Sequence, residues 1–209
     1  MTKNRLEAFS DGVIAILITI MVLELRPPHG STFAALLHPA EGDPYLVPKF
    51  AAYVLSYLYL GIYWNNHHHL MHAVERVDGA IMWANLHLLF WLSVVPFTTA
   101  WVGETATPDL ASAPAEPAAL YGFSLLMAGV SYYILARAII AEQLRHSGGR
   151  HSKLRELIGS DTKGLVSLAL YITGSALAFV NAWIAYALFG LVAVMWLVPD
   201  RRISRRLQE

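Results

Sequence analysis

Six stretches of this chain are apolar for long enough to cross a bilayer, and polar or proline-rich segments part them. They cover about residues 5–25, 48–70, 79–102, 118–144, 164–179 and 182–198. Arg26, Pro27 and Pro28 stop the first run, and a loop with Gly30, Pro39, Gly42 and Pro44 follows it. An Ala- and Pro-rich segment with Glu104, Asp109 and Glu116 parts the third run from the fourth and reads as an exposed connection. The last two runs share only a tight turn near Asn181, so they form a helical hairpin. The pattern predicts an all-α membrane protein in which residues 1–209 make one six-helix transmembrane unit.

The first run carries the most information. On a helical wheel at about 100° per residue, Ile16, Ile20 and Leu23 fall within roughly 60° of one another. Thr19 lies about 60° to one side of Ile16, and Ser10 and Asp11 point to the back, roughly 120–140° away. One helix thus has a smooth aliphatic stripe and, near its start, a polar back. Periodicity alone leaves the stripe two roles, a surface for lipid and packing or the wall of a pore. The polar back has no such freedom, because a carboxylate in a span must touch protein or water.

Donors at a matching depth lie on the next two runs. The second run closes in Asn65, Asn66, His67, His68, His69 and His72, and the third contains Asn85, His87 and Trp91. Asn65, His67, His68, Asn85 and Trp91 are the expected partners of Ser10 and Asp11. Such a network can lock the rotation of the first helix, or it can be a proton or ion site. The abundance of donors favours the lock. His68 and His72 are spaced i, i+4 with Glu75 three residues on, a pattern able to hold zinc. Histidines at a membrane edge also simply form hydrogen bonds, and no metal is expected here.

Composition agrees with the pattern. The chain has 209 residues, 56% of them apolar, and a positive mean hydropathy, which excludes an ordinary soluble domain. It has no cysteine, so disulfides, thiolate metal sites and cysteine catalysis are excluded. No nucleophile elbow, phosphate loop or dinucleotide fingerprint appears, and an enzyme is not expected. The first run contains Asp11, is too long for a signal-peptide core and lacks a small-residue cleavage site, so it is expected to be retained.

The net charge is zero but segregated. Basic residues gather before the first run, between the second and third, between the fourth and fifth (Arg145, Arg150, Lys153, Arg155, Lys163), and at the end (Arg201, Arg202, Arg205, Arg206). The other two loops hold only Arg26 and Lys49, against Glu41, Asp43, Glu104, Asp109 and Glu116. Both termini are therefore expected in the cytoplasm. Topogenic charge and anionic lipid account for the basic clusters, and no nucleic-acid partner is expected.

The stretch RLEAFSDGVIAILITI resembles the opening helix of the transmembrane protein 175 family, the lysosomal potassium channel and its prokaryotic relatives. Its pattern is an arginine, three residues, then Phe-Ser-Asp ahead of an apolar helix, here Arg5, Phe9, Ser10 and Asp11. The six-run length, the His/Asn cluster and Trp91 fit a member with one six-span unit. The resemblance implies a homotetramer around an axial pore lined by the first helix of each subunit, in the plasma membrane. It implies that Ile16 forms the constriction, with Ile20 and Leu23 as further apolar layers and Thr19 as the nearest hydroxyl. The function implied is a potassium-permeable, weakly selective cation channel that passes K+ and other monovalent cations and needs no cofactor. A carbonyl filter is absent, since no Thr-Val-Gly-Tyr-Gly occurs. Arg5 falls nearly in line with the stripe, and either faces the cytoplasmic mouth or pairs with Asp11 or Glu7. The alternative is a proton- or cation-coupled secondary transporter using Asp11 and the histidine cluster. No three-plus-three internal repeat supports that alternative.

Overall fold

The computed structural model describes residues 2–37, 45–106, 113–147, 154 and 162–197. Among them are seven α-helices: α1 Lys3–Ile20, α2 Phe33–Leu37, α3 Leu46–His72, α4 Gly79–Glu104, α5 Ala115–His146, α6 Thr162–Leu177 and α7 Ala182–Leu197. The protein is an all-α membrane protein. Four helical segments are long and apolar enough to cross a bilayer, Lys3–Glu24, Leu46–His72, Gly79–Glu104 and Ala115–His146. At 16 residues each, α6 and α7 are shorter, rising about 24 Å against a hydrocarbon core of about 30 Å.

Local sequence explains the ends. After Ile20 the first helix tightens into a 3-10 turn, Met21–Glu24. It therefore leaves α-geometry earlier than the apolar run ending at Leu25 implied. Pro27 disfavours helical geometry at Arg26, and a tighter last turn is a common way to end a helix. The short α2 lies in the stretch read as loop. Asp78 caps α4, its Oδ1 accepting from the Ile81 amide at 2.9 Å. Asn181 starts α7, its Oδ1 accepting from the Trp183 amide at 2.8 Å.

The helices assemble around α4 and α5, which pack on each other. The α6–α7 hairpin lies on α5, with α7 also reaching α3. Phe189 of α7 is fully buried in a notch left by Gly122 of α5 and Gly174 of α6, where an added Cβ would fall 2.3 and 2.6 Å from its ring. Small residues admit this close approach, the usual device where lipid supplies no hydrophobic drive between helices. The carbonyl of Phe189 accepts from the Tyr59 hydroxyl at 2.6 Å, tying α7 to α3.

The first helix packs against α3 and α4 through Leu6, Ser10, Ile14 and Leu17, all buried on one side. At the far end of the α3–α4 pair, buried Lys49 forms an ion pair with Glu104, and its stem passes over Gly103. The loop charges Arg150, Lys153, Arg155, Glu41, Asp43 and Asp109, and the arginines from Arg201 onward, lie outside the described residues.

Candidate functional site

The polar back of α1 meets two neighbours in two different ways. Toward α4 it forms a buried relay. The Ser10 hydroxyl donates to the Leu6 carbonyl at 2.9 Å, one turn back in its own helix. Its single proton is then spent, so Ser10 Oγ accepts from Asn85 Nδ2 at 2.9 Å. Asn85 thereby turns Oδ1 to His67, whose Nε2 stands 2.7 Å away and must carry the proton. Ser10, Asn85 and His67 are all fully buried. His67 Nδ1 has no hydrogen-bond partner among the described residues. In the neutral Nε2–H tautomer it is a bare acceptor, the less costly group to leave unmet.

Toward α3 the helix forms a three-rung ladder. Lys3 Nζ donates to the His72 carbonyl at 3.1 Å. Glu7 Oε1 lies 3.4 Å from His68 Nδ1. Asp11 Oδ1 accepts from the Trp64 indole at 3.1 Å. The rungs are four residues apart on each helix, so antiparallel helices present them in register. The ladder grips the first two turns of α1 and leaves the rest to apolar packing.

The partners differ in part from those the sequence predicted. Asp11 takes Trp64, which was not among the expected donors, because Trp64 and not Asn65 faces α1 at that level. Asn65 is exposed and stands apart from the network. Trp91 also stands apart: its indole donates to His87 Nε2 at 3.1 Å on its own helix, and its ring meets Phe123 of α5 edge-on. Lys3, Glu7 and Trp64 were missed. Their signal is the match of Lys3, Glu7 and Asp11 with Trp64, His68 and His72, read antiparallel at four-residue spacing. Arg5 is exposed, and Glu7 and Asp11 take His68 and Trp64 as partners instead of it.

The other side of α1 is uncovered. Ile16 is 62% exposed, Ile20 46% and Leu23 73%. Thr19 shares this face, its hydroxyl turned back to the Ala15 and Ile16 carbonyls at 3.0 and 3.1 Å. Phe9 is also exposed. Ala8, Gly12 and Ala15 continue the same face with small side chains.

A family model described as endosomal/lysosomal potassium channel TMEM175 matches residues 5–96. A potassium channel of Chryseobacterium sp. is 49% identical over 209 residues, the whole of both chains. The chain belongs to the TMEM175 family. A potassium channel of Streptomyces collinus is 34% identical over 200 residues, 93% of this chain and 91% of its own. Among solved structures, the crystal structure of a lysosomal potassium-selective channel TMEM175 homolog from Chamaesiphon minutus superposes with a TM-score of 0.72. It is 26% identical and the match covers 93% of this chain and 96% of that one. These TMEM175 relatives are named as ion channels, not as enzymes. The segment that matches the TMEM175 family model takes in α1, α3 and α4 as far as Pro96, the helices that carry the relay and the ladder.

Proposed function

We propose that this TMEM175 member is a potassium-permeable, weakly selective cation channel whose pore is lined by α1. The observation that carries the reading is the two-sided character of that helix. One side is fixed to α4 by a buried hydrogen bond and to α3 by the rim bond of Asp11 to Trp64, and the opposite side offers a continuous uncovered stripe. Four copies around an axis turn the stripe inward, with Ile16 at the narrowest level, Ile20 and Leu23 as further apolar layers, and Thr19 as the adjacent hydroxyl. The relatives named as potassium channels support the same reading. Six spans per subunit, with α6 and α7 as the last two, and cytoplasmic termini at the plasma membrane complete it.

The mechanism follows from the side chains. A ring of isoleucines offers an ion no ligands, so a narrow ring expels water and closes the path by dewetting. A small rotation or tilt of α1 widens it and admits hydrated or partly hydrated K+, the permeant ion. Selectivity over Na+ is modest, because Na+ holds its water more tightly yet no cage of oxygens discriminates. The Ser10–Asn85–His67 relay and the Asp11–Trp64 rung set the rotation of α1 and so bias the gate.

Reconstitution with bi-ionic reversal potentials tests the activity. Ohmic current with a modest preference for K+ is expected. Saturating flux that requires a proton gradient would instead mark a coupled carrier using Asp11 and the histidines. Ile16→Asn, which places an amide in the apolar ring, is expected to raise conductance. Unchanged conductance and selectivity would remove Ile16 from the constriction.

A further inference from the structure

The ladder between α1 and α3 contains a cluster that ion conduction does not use. Glu7, His68 and His72 each offer one ligand atom, and these atoms lie within 4.8 Å of one another. We propose that this cluster binds a divalent transition metal of zinc type and pins the start of α1 to the end of α3. The proposal does not depend on α1 lining a pore.

His68 Nε2 and His72 Nε2 face each other at 3.1 Å. A tetrahedral zinc with Zn–N bonds of about 2.0–2.1 Å sets two nitrogen ligands roughly 3.3 Å apart. The pair therefore stands near the separation a metal requires, with the two rings almost perpendicular at 84°. The i, i+4 spacing on a continuous helix fixes that approach.

Glu7 supplies what the pair lacks. Its carboxylate, 3.4 Å from His68 Nδ1, only accepts, so it draws the imidazole proton to Nδ1 and leaves the Nε2 lone pair for a metal. Its negative charge lowers the cost of holding a dication beside two neutral rings. On metal binding the carboxylate leaves Nδ1 and turns to the metal as a third ligand, and water completes a tetrahedron. Two imidazoles and one carboxylate suit zinc, cobalt or nickel; magnesium and calcium favour all-oxygen sites. His72 is exposed, which leaves an entry path. The sequence paired these histidines with Glu75, but that residue is exposed beyond the end of α3, and Glu7 of another helix takes its place.

The tag-free full chain, purified in detergent, is titrated with cobalt(II) and then zinc. One cobalt per chain with tetrahedral visible absorption is expected, displaced by zinc, with a rise in Tm at saturating zinc. His72→Ala and Glu7→Gln should each weaken cobalt binding by about tenfold or more and abolish the Tm rise. His69→Ala and Glu75→Gln should bind as the unaltered chain does. Absence of the visible band in the unaltered chain overturns the proposal. So does metal affinity retained in both His72→Ala and Glu7→Gln.

Discussion

Asn85 is the residue on which the buried relay turns. It donates to Ser10 and accepts from His67, so no apolar replacement satisfies both neighbours. Asn85→Leu strands an imidazole N–H in the core and takes the donor from the Ser10 oxygen, whose own proton still reaches the Leu6 carbonyl; a stranded buried group costs about 1–3 kcal/mol. Ser10→Ala strands only the Asn85 amide and should cost less. Thermal unfolding in detergent should rank the two variants in that order, with a double-mutant cycle showing coupling between them. Equal stability of Asn85→Leu and the unaltered chain would deny the relay its structural weight. The residues of this relay were readable in the chain, since Ser10, His67 and Asn85 are polar positions at one depth. The division of labour was not. That Ser10 rather than Asp11 enters the buried relay, and that Asp11 meets Trp64 at the rim, depends on rotations of about 100° between neighbouring positions that only packed helices fix.

At the scale of the helices, caps and rungs set the ends while small residues set the distances. Asp78 holds the start of α4 through the Ile81 amide and also accepts from Arg145 of α5 at 2.8 Å. The amide bond first, and then the guanidinium, hold its carboxyl below the usual carboxylate range. Asp78→Ala should therefore cost about 1 kcal/mol, the ordinary worth of such a cap. The sign of the pH effect follows from the depressed folded value. The stabilisation is fully present above the unfolded pKa of about 3.9 and is lost as pH falls through the lower folded one. Unfolding midpoints against pH should show the gap between Asp78→Ala and the unaltered chain closing in acid; a gap that widened there would reverse the assignment. The four span-length helices and the shorter α6 and α7 were legible because long apolar runs need no partner to be recognised. The 3-10 end of α1 and the short α2 were not, because both rest on turn geometry within polar, proline-flanked sequence.

For the whole molecule the open face of α1 makes the sharpest demand. The chain has no native cysteine, so a single Leu23→Cys offers one thiol per subunit. If α1 faces an axis, oxidation in the membrane should give disulfide-linked dimers within a tetramer. Phe179→Cys, on the exposed turn between α6 and α7, should remain monomeric. No cross-link at Leu23 under conditions that link a known symmetric control would place the stripe against lipid. The sequence by itself determined the all-α membrane class, the two faces of the first helix and the family resemblance. Those depend on hydrophobic period and on side-chain identity, which a linear chain carries in full. Only the tertiary structure decided which polar groups meet: Asp11 with Trp64, Ser10 with Asn85, and Glu7, in place of Glu75, with His68 and His72. Those pairings depend on the register and rotation of helices distant in the chain, set by packing of the entire bundle and not by any local stretch.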